Sequence, residues 1–163
     1  RNKKSHWKYN IKDIGFNYRI SDINCALGIS QIKRLKEFID KRKKISEHYI
    51  KNLKNLVSLN QYNKMNKPCY HLFLISINFK NIKSSKDNFI KFMKKNNIMA
   101  QYHYIPIYKF DIYKGKKEKL TNSEYYYKNT VSLPIYYDLN LKDLNNIISK
   151  IQFFLKRYNN TNN

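Results

Sequence analysis

The sequence predicts an α/β class domain, α+β in its layering, with a small sheet covered by helices. Three observations carry that prediction. Long stretches repeat apolar residues at spacings of three and four, the period of a helix. Between them lie short runs dense in aromatic and β-branched residues, the clearest at 70–77. Only three Gly and three Pro occur in 163 residues, so the elements are long and little interrupted.

Residues 1–20 read as an extended lead-in packed by Trp7 and Tyr9. Ser21-Asp22 then offers a helix cap, with an acid where the helix dipole favours one. Ile23, Ala26, Leu27, Leu35, Phe38, Ile39, Ile45, Tyr49 and Leu53 follow at helical spacing, so one or two helices fill 22–54. The apolar face drifts along this stretch, which predicts a bend near Gly28 or Leu35. Cys25, beside Ala26 and Leu27, reads as a core thiol.

Residues 70–77 read as a largely buried strand, with His71 a core histidine inside it. Ser84-Ser85-Lys86-Asp87 resembles a capping box with Asp in place of Glu. It opens a helix with Phe89, Ile90, Phe92 and Met93 on its apolar side, ending near Asn96-Asn97. Residues 98–103 form a second strand, which completes a β–α–β sequence. Residues 104–121 are loop-like, with Pro106 and Gly115. A short helix follows Asn122-Ser123-Glu124 and stops before Ser132-Leu133-Pro134. Its Tyr125-Tyr126-Tyr127 run reads as part core and part surface. Residues 135–137 are a third extended segment. Asn140 caps a last helix with Leu141, Leu144, Ile147, Ile148, Ile151 and Leu155 on one face.

Composition narrows the function classes. Hydrophobic residues make up 42%, enough for a packed core. No run approaches the ~18 apolar residues of a membrane span. The opening Arg1-Asn2-Lys3-Lys4 is followed by no apolar stretch, so no signal peptide is expected, and a start on Arg suggests a fragment or a processed product. Cys25 and Cys69 make no ligand pair, which points to a reducing, cytoplasmic setting. His6, His48, His71 and His103 show no i+3 or i+4 pairing, so no metal helix is expected.

Lys+Arg is 33 against 11 Asp+Glu, a formal charge of +22. That invites a nucleic-acid reading. The composition argues against it. Lys greatly outnumbers Arg, whose planar fork suits phosphate and base edges. Lys, Asn, Ile and Tyr are raised together, as a biased genome raises them, and the basic residues are spread along the chain.

Two segments carry candidate chemistry. Gly15-Phe16-Asn17-Tyr18-Arg19 runs directly into a helix start, a place suited to anions. Asn17 can donate to a phosphate oxygen, and Arg19 can clamp a phosphate or carboxylate. The same pattern also fits a turn at Asn17 and an Arg19–Asp22 pair. Gln101-Tyr102-His103-Tyr104-Ile105-Pro106 runs from a strand end into a loop, where α/β proteins often hold ligands. His103 can hydrogen-bond a substrate or shuttle a proton, or it can be a structural histidine bonded to backbone. No glycine-rich phosphate loop, nucleophile elbow or carboxylate pair is present.

Taken together, these segments resemble the DegT/DnrJ/StrS sugar aminotransferases. The resemblance is carried by Trp7-x-Tyr9, by residues 13–23 around Asn17-Tyr18-Arg19, and by Cys25-Ala26-Leu27-Gly28. Tyr70-His71-Leu72-Phe73, His103-Tyr104-Ile105-Pro106 and Ser132-Leu133-Pro134 follow in the family's order. The wording is nearest to the family's pseudaminic acid branch.

The resemblance implies the C-terminal part of the aspartate aminotransferase fold. Residues 1–35 would be the tail of the large cofactor domain and the start of the connecting helix. Residues 36–158 would be the small domain, and 159–163 a frayed tail. The implied cofactor is pyridoxal 5'-phosphate. The implied reaction moves an amino group from glutamate to the 4-keto carbon of a UDP-4-keto-6-deoxy-amino sugar.

It also implies residue roles. Asn17 would reach the cofactor phosphate across a homodimer interface. Arg19 would lie near the nucleotide-sugar, and His103 and Tyr104 would line the substrate site. The Schiff-base Lys is expected upstream, so no catalytic residue is assigned in this chain. Tyr108 stands where relatives commonly carry His. Two other readings stay open: a basic nucleic-acid-binding α/β module, and a non-catalytic interaction domain.

Overall fold

A helix, α1 (Asp22–Lys33), starts where Ser21 accepts a hydrogen bond from the Asn24 amide at 3.3 Å. It stops at Arg34, whose amide turns back to the Gln31 carbonyl at 3.1 Å. A second helix, α2 (Leu35–Leu53), begins at once, so the helical stretch is interrupted at Arg34, next to Leu35. The computed structural model describes residues 15–16, 18–59, 66, 68–110 and 120–159. Most of the expected lead-in, Asn17, and positions 160–163 of the tail lie outside the described residues.

The chain divides into two compact units, Arg1–Leu35 and Lys36–Asn163. In the first, α1 has no buried residue. Cys25 is half-buried and Leu27 exposed, so Cys25 is not the core thiol its apolar neighbours suggested. Apolar composition alone does not bury a helix whose apolar residues circle the axis.

The second unit is built around one sheet. Its strands are β1 (Ser58–Leu59), β2 (Phe73–Ser76), β3 (Gln101–Tyr102) and β4 (Thr130–Leu133). Their order is β1-β2-β4-β3, and every neighbouring pair is antiparallel. Phe73 faces Leu133 across β2 and β4, and Tyr102 faces Val131 across β3 and β4. Strands β2 and β3 are therefore parallel, with β4 between them. The expected β–α–β unit is present in split form, its crossover helix being α3 (Lys86–Lys95). The unit closes with α4 (Thr121–Asn129) and α5 (Leu141–Asn159).

Four expectations need correction. The third extended segment was placed at 135–137, but the strand lies before Pro134, at Thr130–Leu133. Proline cannot donate to a ladder, and the β-branched Thr130 and Val131 pair instead. The expected strand at 98–103 narrows to Gln101–Tyr102, the part that β4 reaches. The cap of α3 is Ser85, which accepts from the Asn88 amide at 3.1 Å, so Ser84 and Asp87 form no capping box. His71 is exposed, two positions before Phe73, where the buried alternation begins.

The core joins α2, β2, α3 and α5. Tyr49 stacks on Phe73 with ring centroids 4.7 Å apart. Phe89 meets Phe154 edge-on at 5.1 Å. Burying such aromatics is the main driving force available to a domain of this size. The Tyr49 hydroxyl, deep in this core, donates to the Pro134 carbonyl at 2.9 Å, and burial holds it strongly protonated.

Candidate active-site cleft

The site is set by how α3 ends. Asn97 has φ 60°, the left-handed conformation that Asn tolerates. Its amide donates to the Lys94 carbonyl at 3.0 Å, and the Ile98 amide donates to the Met93 carbonyl at 3.0 Å. That pair of bonds is a Schellman cap, and buried Met93 and Ile98 supply its hydrophobic contact. The chain is thereby turned into β3, and β3 delivers His103 and Tyr104 to the rim of the sheet.

His103 is half-buried and stacks on Tyr104, with centroids 4.4 Å apart and planes at 26°. Tyr126 of α4 lies edge-on to the imidazole at 6.4 Å. Tyr104 is 71% exposed. Burial, and then the positive charge of Lys86, hold the His103 pKa below the ordinary histidine range. The ring is neutral at neutral pH, with one donor and one acceptor nitrogen.

Around this pair lies a polar group that sequence reasoning did not assemble. Tyr102 donates to Asp87 Oδ1 at 2.8 Å. Lys86 donates to the Tyr127 carbonyl, and its amine lies 4.5 Å from the Tyr127 ring centre. Tyr108 and Lys109 both bind Glu124, each at 2.8 Å. The hydrogen bond from Lys109, and then that from Tyr108, hold the Glu124 carboxyl below its usual range. Tyr108 is thus fixed to a carboxylate. Lys86 was legible in one respect: it stands at a helix start, where a cation is out of place.

A cleft of about 700 Å³ opens beside the loop, lined by Ile90, Met99, Tyr102, Tyr104, Ile105 and Tyr127 among others. A second, of about 640 Å³, is lined by residues including Lys80, Lys86, Glu124 and Lys128. Both are lined mainly by apolar surface, and the second also has the amines of Lys80, Lys86 and Lys128 and the carboxylate of Glu124 among its lining residues.

Of the sequence-derived site residues, His103 and Tyr104 are brought together. Arg19 belongs to the first unit and is exposed ahead of α1. Asn17 lies outside the described residues. Among the described residues no cluster of His, Cys, Asp or Glu could hold a metal ion. No described helix is long and apolar enough to cross a membrane.

The fold is one found in sugar aminotransferases. The solved structure of Helicobacter pylori PseC, an aminotransferase of pseudaminic acid biosynthesis, superposes with a TM-score of 0.81 at 28% identity. The match covers 95% of this chain and 43% of that one. DesV from S. venezuelae matches in fold with a TM-score of 0.80 at 21% identity, over 96% of this chain and 42% of its own. Residues 1–152 match the model of the DegT/DnrJ/EryC1/StrS aminotransferase family, and the chain belongs to that family. A UDP-4-amino-4,6-dideoxy-N-acetyl-beta-L-altrosamine transaminase from Campylobacter jejuni is 32% identical over 148 residues. That alignment takes in 86% of this chain and 38% of the relative, so the chain spans well under half of the relatives' length.

Proposed function

We propose that this chain is the C-terminal portion of a pyridoxal-phosphate-dependent nucleotide-sugar aminotransferase. The whole protein would move an amino group from glutamate to the 4-keto carbon of a UDP-4-keto-6-deoxy-amino sugar, in synthesis of the pseudaminic acid type. The observation that carries this reading is the family match over residues 1–152, with relatives whose names specify such a transaminase. The division after Leu35 supports reading 1–35 as the end of the cofactor domain and 36–158 as the small domain.

The residues of this chain fit an auxiliary part in holding the cofactor. Lys86 is unsuited to an imine, because its amine is bonded to the Tyr127 carbonyl and flanked by two rings. Arg19, exposed ahead of α1, fits an anionic partner, and Asn17 beside it fits a phosphate oxygen. In this reading Asn17 serves the partner subunit of a homodimer, and the protein works in the cytoplasm. When bound, the cofactor supplies an electron sink. His103 and Tyr104 then line the sugar, the neutral imidazole and the tyrosine hydroxyl offering hydrogen bonds that fix its orientation.

The test compares the 163-residue chain with the longest open frame that contains it. Each is given pyridoxal phosphate, glutamate and a UDP-4-keto-6-deoxy sugar, and 2-oxoglutarate is measured. The longer protein is expected to turn over and the 163-residue chain to be inert. Turnover by the short chain, or none by a longer one carrying an upstream imine-forming lysine, would sink the reading.

A further inference from the structure

Lys86 stands where a lysine is doubly disfavoured. It is the first residue of α3, and the start of a helix favours negative charge. Its side chain is also buried, at 9% exposure, and removing an ammonium from water is costly. Burial accordingly lowers its pKa, with Asp87 opposing that in part. Groups that break a local rule in this way tend to mark functional positions.

The amine nevertheless has a defined seat. It donates to the Tyr127 carbonyl of α4 and lies 4.5 Å from the Tyr127 ring centre. On β3 it lies 5.3 Å from the ring centre of Tyr102, whose hydroxyl is held by Asp87. One cation therefore touches the strand that leads into His103 and the helix that carries Tyr126, the ring edge-on to that imidazole.

We propose that Lys86 is a positioning residue for the His103–Tyr104 loop, its ammonium fastening β3 to α4 and presenting positive charge to the imidazole. Tyr104 from its own loop and Tyr126 from α4 pack on the His103 ring, and the charge of Lys86 from α3 acts on it from its seat against Tyr102 and Tyr127. Nearby Lys109 is paired with Glu124, and Asp87 accepts from Tyr102. The charge of Lys86 adds to burial, the larger cause, in disfavouring the imidazolium form, which leaves a ring able to accept as well as donate a hydrogen bond. The purpose of this rests on the substrate-lining role proposed above. The contact itself does not, and its test reads no turnover.

The experiment follows the imidazole C–H resonances of the 163-residue chain against pH by NMR, with His103→Gln to assign the signal. Lys86→Gln keeps a donor for the Tyr127 carbonyl but loses the charge. It is expected to raise the His103 midpoint and weaken the cross-peaks between the His103 and Tyr104 rings. Lys86→Arg keeps the charge and should hold the midpoint near that of the unaltered chain. An unchanged His103 midpoint in Lys86→Gln overturns the proposal, as does an equal rise in both variants. Should Lys86→Gln not fold, the unaltered chain in ~1 M salt, where screening acts within ~3 Å, serves instead. The His103 midpoint must then rise, and an unchanged midpoint overturns the proposal.

Discussion

Helices α1 and α5 are both rich in large aliphatic residues, yet they end in opposite states. In α5, Leu144, Ile147, Ile148, Ile151, Phe154 and Leu155 are all buried along one stripe. In α1, Ile23, Leu27, Ile29 and Ile32 are exposed, Ile23 at 83%. The difference is arrangement. The apolar residues of α5 recur at three and four, whereas those of α1 go round the helix. A helix apolar on all sides is suited to burial on more than one side. Unit Lys36–Asn163 thus completes its own core, while α1 carries apolar surface that no described residue covers.

The sharpest way to break this comparison is truncation. Phe154→Ala removes a ring packed against Phe89, Phe92 and Tyr158, and is expected to cost ~3–5 kcal/mol in urea unfolding of the chain. Ile23→Ala, on an exposed face, should stay within ~0.5 kcal/mol. Comparable losses for the two would mean that α1 is packed as tightly as α5. Next in size is Tyr49→Phe, which leaves the Pro134 carbonyl without its buried donor and should cost about 1 kcal/mol.

Helix caps refine the same contrast. Asn140 accepts from the Asp143 amide at 2.8 Å and donates back to the Asp143 carboxylate at 2.7 Å. Asn140→Ala should cost ~1 kcal/mol, measured as a lower urea midpoint. Ser21→Ala, removing a single 3.3 Å bond on α1, should cost less than Asn140→Ala in the same measurement.

The smallest effect is one of pH. Folded His103 binds a proton less readily than unfolded His103, whose pKa is ~6.5. Its contribution is therefore present above that value and is lost as pH falls through it towards the folded pKa. His103→Gln should flatten the fall in urea midpoint between about pH 7 and 5. A profile as steep as that of the unaltered chain would place the responsible group elsewhere.

Much of the fold was readable because single elements declare themselves. Asn140 and the stripe that follows it specify α5 with no help from the rest of the chain. The strand boundaries were less readable. Residues 98–103 have strand composition throughout, but only Gln101 and Tyr102 lie opposite β4, and pairing is a property of two segments at once. For the candidate site, a strand end running into a loop was readable, and His103 and Tyr104 do stand just past the end of β3. The site was illegible where the contact is tertiary. Nothing local says that Lys86 will sit over Tyr127, or that Tyr108 and Lys109 will meet on Glu124.

The strand order has a consequence for the order of synthesis. The central position between β2 and β3 is taken by β4, which leaves the ribosome after both. Until Thr130–Leu133 emerges, β2 and β3 have no common partner and the edge of β2 that pairs with β4 stays open. Its partners are distant in sequence, so closing the sheet is entropically slow. A nascent chain halted after α4 would hold the His103–Tyr104 loop but no sheet to carry it. It would present an unpaired strand edge, the feature by which chains aggregate. Support for this loop is therefore supplied late, by Thr130–Leu133.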